Sequence, residues 1–169
     1  MSHGHQRVLG FDFGTTRIGL AIGQSVTATA TELEPVRARD GIPDWSQLDG
    51  AIATWQPDAL VVGVPLNMDG TPSEMARRAR RFANRIQDRY RLPCFLCDER
   101  LTTAEAKRIH LNAGGGSNFK RESVDGLAAR LILEDWFNTA VRIPSHTRLE
   151  EIHGIGNPEH RCAARRDDE

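Results

Sequence analysis

One short segment constrains the fold of this chain more than any other: residues 59–64 read Ala-Leu-Val-Val-Gly-Val and contain no polar side chain. A strand with one face in water alternates apolar and polar residues, whereas a strand covered on both faces is apolar throughout. The run therefore predicts an interior strand of a mainly parallel sheet, with other layers packed against both of its faces.

The segments around this strand predict an α/β fold with a mixed sheet, in which the first two strands form a hairpin. The sequence Thr71-Pro72-Ser73-Glu74 has the pattern of a capping box with proline at the first helical position, so we expect a helix to start there. The predicted strands are residues 7–13, 17–23, 28–36, 59–64 and 94–99, and the predicted helices are residues 44–56, a helix from Thr71, a helix from Thr102 and residues 123–137.

The length of 169 residues suits one domain with a full core and is too short for two full-sized domains. We expect this domain to span residues 1–140, and residues 141–169 to form a polar C-terminal tail that is either disordered or docked on the surface. Neither a signal peptide nor a membrane-spanning segment is visible, so we expect a cytoplasmic protein without membrane contact. The formal net charge is −1, so any affinity for nucleic acid must come from local patches.

Two of the three cysteines, Cys94 and Cys97, form a CxxC pattern inside a predicted strand. Side chains three residues apart on a strand point to opposite faces, and the sequence has no second cysteine pair to complete a zinc site. The pattern therefore predicts small buried side chains rather than a redox or zinc site.

Three acidic residues, Asp12, Glu99 and Asp125, interrupt segments that are otherwise apolar. An uncompensated carboxylate in an apolar interior is costly, and a hard divalent cation shared by all three would offset that cost. The working hypothesis is a metal-dependent hydrolase. Asp98 and Glu99 are neighbours on one strand and must point to opposite faces, so only one of them can join Asp12, and the spacing does not say which.

Each of these acids also has an explanation that needs no metal. Asp12 could accept hydrogen bonds from the backbone of the turn at residues 14–16. Glu99 could pair with Arg100 or Arg17, and Asp125 could cap the last helix. The metal hypothesis requires that all three carboxylates meet in one place.

Several polar residues next to the acids are candidates for substrate contacts. Arginine side chains suit phosphate groups, and hydroxyl groups at a turn or a helix N-terminus can donate hydrogen bonds to an anion. Ion pairing, capping and turn formation are equally ordinary roles for the same residue types. The candidate substrate-binding residues are Arg17, Arg100, Thr15, Thr16, Thr102 and Asn67.

Four arginines, Arg77, Arg81, Arg85 and Arg89, recur every fourth residue in the helix predicted after Thr71. Helical spacing gathers them on one side. Such a stripe could track a phosphate backbone, or it could be a solvated face whose charge is offset by nearby acids. The sequence slightly favours the solvated face.

Four segments together resemble the YqgF family, a family of pre-16S rRNA nucleases and Holliday-junction resolvases. They occur in the order of that family and cover the chain from about residue 7 to about residue 138. The segments are residues 11–21 (FDFGTTRIGLA), 63–70 (GVPLNMDG), 98–103 (DERLTT) and 124–133 (VDGLAARLIL).

The resemblance implies a ribonuclease-H-like fold, in which helices cover both faces of a mixed sheet, and divalent-metal nuclease chemistry in the cytoplasm. It implies that Asp12, Glu99 and Asp125 are the catalytic residues and the ligands of Mg²⁺ or Mn²⁺, and so it selects Glu99 over Asp98. The implied function is endonuclease cleavage of structured nucleic acid. The expected substrate is the 5′ end of pre-16S rRNA, with a Holliday junction as the alternative.

Two other classes of protein share parts of this pattern. Actin-like and sugar-kinase-type ATPases also cradle phosphates on an Asp-x-Gly-Thr-Thr turn between two strands, but they need two related lobes, and this chain has length for one. A non-catalytic nucleic-acid-binding module could carry the acids as a relict. A weak homodimer also stays open, because the sequence does not define the oligomeric state.

Overall fold

The structure is a computed structural model that describes residues 6–67, 69–99, 119–139 and 142–155, with the backbone alone at 119–125 and 153–155. The strands are β1 (Arg7–Asp12), β2 (Arg17–Gln24), β3 (Thr29–Arg39), β4 (Ile42–Pro43), β5 (Ala59–Val64), β6 (Cys94–Asp98) and β7 (Ile143–Pro144). The helices of the described residues are α1 (Trp45–Trp55), α2 (Glu74–Tyr90), α3 (Phe119–Asn138) and α4 (Leu149–Ile155).

These strands form one mixed sheet in the order β4-β3-β2-β1-β5-β6-β7. β1, β5 and β6 run parallel to one another, whereas β2, β3, β4 and β7 pair antiparallel with their neighbours. β5 lies at the centre of the parallel part, and all six of its residues are buried. The prediction of an interior strand at residues 59–64 is therefore confirmed.

Alternate side chains of β1 enter two separate layers of the core. Leu9 and Phe11 pack with residues of α2 such as Phe82, on the side that we call the α2 face. Val8 packs with residues of α3 such as Ile132 on the opposite side, the α3 face. Helices thus cover both faces of a mixed sheet, and the predicted α/β fold class is confirmed.

Helix α3 lies very close to the sheet because glycines face it. A Cβ atom built on Gly10 would overlap Cγ of Leu133, and one built on Gly23 would lie 2.7 Å from Cε2 of Phe137. Side chains at these positions would push the helix outward and open the core between helix and sheet. The absence of a side chain at Gly10 of β1 and Gly23 of β2 therefore sets the distance between α3 and the sheet.

The start of α2 differs from the prediction. Ser73, not Thr71, is the N-cap, because its hydroxyl oxygen accepts a hydrogen bond from a backbone amide of the first turn at 3.0 Å and the helix begins at Glu74. The hydroxyl of Thr71 instead donates to the Asp69 carboxylate at 2.6 Å, in a local turn that competes with capping. Pro72 consequently precedes the cap rather than opening the helix.

Part of the segment expected to be a polar tail contributes to the sheet and the core. Ile143–Pro144 pair with β6 as β7, and Leu149 and Ile152 of α4 are buried in the core on the α2 face. The buried hydroxyl of Ser145 donates to the side chain of Gln87 of α2 at 2.7 Å. A two-residue strand and a short helix are too brief to show a hydrophobic period, so the sequence did not predict them.

Asp49 of α1 holds α1 against the end of α2. Its carboxylate accepts hydrogen bonds from Nε of Arg89 at 2.9 Å and from the hydroxyl of Tyr90 at 2.6 Å. The Arg89 guanidinium also lies over the ring of Trp45, 4.6 Å from the centroid. The hydrogen bond from Arg89, followed by that from Tyr90, lowers the pKa of Asp49 from 3.8 to about 2.

Replacing Gly10 by alanine should destabilise the protein by about 1–3 kcal/mol, because the added methyl group overlaps Leu133. Gly50 of α1 offers the matched control, since a Cβ atom built on it meets nothing within 4 Å. Gly50→Ala should therefore stabilise the protein by about 0.5–1 kcal/mol. Urea unfolding measures both effects. Equal midpoints for the two variants would contradict the close approach of α3 to β1.

Asp49 should add to the acid sensitivity of the fold. Because its pKa is lower in the folded protein, its contribution to stability is present above a pH of about 3.8 and is lost as the pH falls through about 2. Asp49→Asn should flatten the pH dependence of the free energy of unfolding in this window, by a small amount because the ion pair is exposed. Urea titrations across the window test this, and an unchanged slope would argue against the contact.

Candidate functional site

Asp12 is the last residue of β1, at the edge of the sheet where the parallel strands β1, β5 and β6 end. Its backbone pairs with Gly19 of β2, and the residue is half-buried. Phe11 and Phe13, on either side, pack into the core on the α2 face. Alternation along the strand therefore places Asp12 on the α3 face.

Glu99 directly follows β6 and reaches the same edge of the sheet. The residue is only 8% exposed, and its amide donates to the carbonyl of Val64 at 3.2 Å, which holds it beside the end of β5. Cys97 packs into the core on the α3 face, so alternation places Glu99 there and Asp98 on the other face. Glu99 rather than Asp98 therefore shares a face with Asp12.

Gly63 of β5 provides the space that the Glu99 side chain occupies. A Cβ atom built on Gly63 would overlap Oε1 of Glu99 and would lie 2.5 Å from Cδ1 of Ile132. The Glu99 carboxylate therefore lies over the backbone of the neighbouring strand and beneath α3. Because β5 stands between β1 and β6, a glycine lies in the sheet between the strands that carry Asp12 and Glu99.

Asp125 lies in α3, the helix that covers this face. The helix begins at Phe119, so Asp125 is roughly two turns inside it and is not its N-cap, contrary to the capping alternative. Position 125 precedes Ala129 by four residues and Ile132 by seven, and both of these pack on the α3 face. Helical spacing therefore puts position 125 in the row of α3 that faces the sheet.

The turn between β1 and β2 is tied to the neighbouring hairpin. Gly14 is required there, because a Cβ atom on it would overlap the carbonyl oxygen of Arg17. The carbonyl oxygens of Thr15 and Thr16 each accept a hydrogen bond of 2.9 Å from a backbone amide of the β3–β4 segment. Thr15 is half-buried, whereas Thr16 and Arg17 are exposed on this fixed turn.

Arg17 has a cationic neighbour that the sequence analysis missed. The register of β2 and β3 places Arg37 directly opposite Arg17, and Arg37 is also exposed. The adjacent pair, Ile18 and Val36, enters the core on the α2 face, so both arginines lie on the same face as Asp12. Strand register brings them together across a long separation in sequence, and no local motif signals it.

Asn67 lies just beyond β5, at the same edge of the sheet. It is exposed, its side-chain amide donates to the hydroxyl of Thr71 at 2.9 Å, and its backbone amide donates to the carbonyl of Thr71, also at 2.9 Å. Asn67 therefore closes a turn, the more ordinary of the two roles expected for it. Its location still leaves it a candidate for contact with a ligand at this edge.

Arg100 and Thr102, the remaining candidates, lie outside the described residues, and so does the side chain of Asp125. Among the side chains that the structure does describe, no group of three or more His, Cys, Asp or Glu residues is suited to a metal ion. No helix within the described ranges is long and apolar enough to cross a membrane.

Cys94 and Cys97 are buried on opposite faces of the sheet, Cys94 on the α2 face and Cys97 on the α3 face. Burial raises the pKa of Cys94 to about 12. Burial, and then the negative charges of Asp135 and Glu99, raises the pKa of Cys97 well above its usual range. Both thiols therefore stay protonated at neutral pH, and the prediction that these two side chains are buried is confirmed.

The edge where the parallel strands end thus carries carboxylates next to guanidinium groups on one face of the sheet. Carboxylate oxygens suit hard divalent cations, and guanidinium groups suit phosphate oxygens. A buried carboxylate is stabilised when a positive charge replaces its lost hydration. This edge of the sheet therefore carries the residue types that bind divalent cations and phosphate esters in proteins.

The chain is similar over most of its length to several known proteins. A family model described as RuvX, Holliday junction resolvase, matches residues 6–139. A protein of Chromohalobacter salexigens named "Putative pre-16S rRNA nuclease" is 54% identical over 134 residues, which cover 79% of this chain and 90% of that protein. A protein of the same name from Glaesserella parasuis is 55% identical over 132 residues, covering 78% of this chain and 96% of that protein. Among solved structures, T. thermophilus RuvC in complex with a Holliday junction substrate is 17% identical, with a TM-score of 0.49 over 83% of this chain and 99% of that chain.

Gly63→Ala should destabilise the protein by about 1–3 kcal/mol, because the new methyl group overlaps Glu99 and Ile132. Removing the longer side chain with Glu99→Ala should relieve part of this cost. A double-mutant cycle measured by urea unfolding should therefore give a coupling energy of about 0.5–3 kcal/mol. Strictly additive costs would mean that the Glu99 carboxylate does not lie over Gly63.

Proposed function

We propose that this chain, which belongs to the RuvX family of Holliday junction resolvases, is a metal-dependent endonuclease whose substrate is the 5′ end of pre-16S rRNA. Membership of this family confirms the resemblance to the YqgF family that the four sequence segments indicated. The mixed sheet with helices on both faces is the ribonuclease-H-like fold that the resemblance implied. We place the activity in the cytoplasm, as processing of rRNA would require.

One observation carries the proposal. Asp12 ends β1 and Glu99 directly follows β6, yet both lie on the α3 face at the edge where these strands end, and β5 between them carries Gly63. Position 125 of α3 lies in the helix row above that face. We therefore assign Asp12, Glu99 and Asp125 to the catalytic centre, with Asp12 as its central ligand.

These three residues would hold Mg²⁺ or Mn²⁺, which supplies polarisation of the scissile phosphate and a lower pKa for the attacking water. The donor set fits such an ion because it consists of carboxylate oxygens, and Gly63 leaves room for the carboxylate of Glu99. Burial of Glu99 beneath α3 excludes bulk water from one side of the centre. The lower local dielectric strengthens the attraction between carboxylate and cation.

Arg17 and Arg37 would bind phosphates of the substrate beside the carboxylates. Both are exposed, both lie on the face that carries Asp12, and the fixed turn before β2 holds Arg17 in position. Preorganised positive charge of this kind stabilises negative charge that develops during phosphodiester cleavage. We also propose substrate contacts for the other candidates from the sequence, which are Thr15, Thr16, Asn67, Arg100 and Thr102.

We infer the substrate from the names of the similar proteins and of the family. Two proteins that are 54% and 55% identical to this chain over 134 and 132 residues carry the name "Putative pre-16S rRNA nuclease", so RNA is the first candidate. A Holliday junction is the second, because the description of the family names that activity. Contacts to the 2′-hydroxyl groups would distinguish the two. The described residues give no support to a weak homodimer, and we do not propose one.

Asp12→Asn and Glu99→Gln should each lower the rate of Mg²⁺- or Mn²⁺-dependent cleavage by more than about a hundredfold. Loss of a residue that only orients a metal ligand typically costs about 10–100-fold, and loss of a ligand itself should cost more. Asp98→Asn is the matched control. It removes the same charge from the adjacent residue, which faces the other side of the sheet, and should cleave at close to the wild-type rate. Rates are measured on precursor 16S rRNA and on a four-way DNA junction.

Asp125→Asn should behave like the other two variants, and chelation of divalent ions should stop cleavage. Cleavage of the junction alone would favour the second candidate. Asp12→Asn or Glu99→Gln proteins that cut as fast as wild type would contradict the assigned site. A wild-type protein that binds both nucleic acids and cuts neither would favour the non-catalytic module.

A further inference from the structure

We propose that a groove between α2 and the start of α4 binds the phosphate backbone of the nucleic acid, at a distance from the bond that is cut. The inference rests on the proposed function for the identity of this ligand. The arginine groove, as we call it, is lined by Arg77, Arg80, Arg81, Asn84, Arg148, Leu149 and Glu150.

The arginine groove concentrates positive charge in a small volume of about 350 Å³. Three of its arginines come from α2, and Arg148 faces them from the residue that precedes α4. Among the described residues that line the groove, only Glu150 carries a carboxylate. This patch is strongly positive on a chain whose formal net charge is −1, so its cations are not part of a general basic surface.

Within the described residues, little neutralises the exposed arginines of the groove. Arg81 and Arg148 form no ion pair with any described residue. Arg77 forms one contact of 3.9 Å with Glu74, in which both side chains are more than half exposed. A long, exposed pair of this kind contributes little, so the guanidinium groups keep most of their capacity for an anionic ligand.

Arg80 fixes the wall of the groove. Its Nε donates to the carbonyl of Thr147 at 2.7 Å, and its Nη2 donates to the carbonyl of His146 at 2.6 Å. These bonds hold the segment before α4 against α2, and they involve no carboxylate. A wall that is already ordered loses less conformational entropy when a ligand binds.

The structure separates the four arginines that the sequence grouped into one stripe. Arg89 is paired with Asp49 at 2.8 Å and belongs to the contact between α1 and α2. Arg85 is exposed but does not line the groove. The remaining two, Arg77 and Arg81, line it together. The stripe is therefore partly a structural contact, partly a solvated face and partly a concentrated cationic site.

A polyanion with repeated charges fits the groove better than a single small anion. Arg77 and Arg81 are one helical turn apart, about 6 Å along the axis of α2, and Arg148 lies across from them. One strand of nucleic acid presents successive phosphates to several guanidinium groups at once. The groove therefore matches a phosphodiester backbone.

The position of the groove determines which part of the substrate it would bind. α2 starts just after the loop that follows β5, at the edge of the sheet that carries Asp12 and Glu99, but it lies on the opposite face. When the scissile bond of a structured substrate lies at the carboxylates, a different part of the same substrate, remote from that bond, would lie in the arginine groove. The groove should therefore affect binding of the substrate and not the step that breaks the bond.

Arg81→Gln and Arg85→Gln form a matched pair for the test. Both residues are exposed on α2, one turn apart, and neither forms an ion pair with a described residue, yet only Arg81 lines the groove. The probe is a fluorescein-labelled RNA hairpin with a single-stranded 5′ extension. Its binding by the full chain is measured by fluorescence anisotropy over a range of KCl concentrations, without divalent ions.

Arg81→Gln should weaken binding several-fold and reduce the slope of log Kd against log salt by about 0.7, the contribution of one phosphate contact on a single strand. Arg148→Gln should do the same, and the combined variant should lose about twice as much slope. Arg85→Gln should keep the wild-type slope. In cleavage assays Arg81→Gln should raise KM and leave kcat unchanged.

Equal slopes for Arg81→Gln, Arg85→Gln and wild type would overturn the proposal. Binding of a polyglutamate peptide as tight as that of the RNA, and equally weakened by Arg81→Gln, would also overturn it in favour of an acidic protein partner. The result is independent of the active site. If Arg81→Gln weakens RNA binding while Asp12→Asn cleaves normally, the proposal for the groove is supported and the assigned active site is wrong. If Arg81→Gln binds RNA like wild type while Asp12→Asn does not cleave, only the proposal for the groove is wrong.

Discussion

Helix α3 packs closely on the sheet, and both the core on the α3 face and the position of the Glu99 side chain depend on this packing. Gly10 admits Leu133 of this helix, and Gly63 admits the carboxylate of Glu99 beneath it. The same helix therefore completes the core on one face and covers the proposed catalytic centre. A packed interior cannot accept an extra methyl group without movement of its neighbours. A shift of α3 relative to the sheet would therefore change both the core and the position of the Glu99 carboxylate. Residue 125 belongs to the same helix, so its position relative to the sheet would change as well.

Charge on this nearly neutral chain is arranged in local patches. Carboxylates lie at the edge where β1, β5 and β6 end, and Arg17 and Arg37 lie beside them on the same face. The arginine groove lies on the other face, next to α2. Such a distribution lets a protein bind a polyanion at chosen points without general attraction to it. It also allows cleavage and substrate binding to depend on different residues of the same domain.

Much of the fold followed from the sequence because strong local patterns coincide with it. The apolar run at residues 59–64 became the central strand β5, and Asp12 and Glu99 were recognised because they interrupt apolar segments. Features that depend on the register between paired strands could not be predicted from these local patterns. The spacing could not choose between Asp98 and Glu99, and it did not reveal Arg37 opposite Arg17, because both depend on which strands pair and in what alignment. β4, β7 and α4 were missed because very short elements carry no measurable period.

Diffraction from crystals soaked in Mn²⁺, recorded at the manganese absorption edge, would show whether Asp12 and Glu99 bind one metal ion. We predict an anomalous peak on the α3 face at the end of β1, with carboxylate oxygens of both Asp12 and Glu99 at about 2.1 Å from the ion. A carboxylate of residue 125 should complete the centre from α3. Manganese bound elsewhere on the protein, or bound by only one of these acids with the other turned away, would contradict the account.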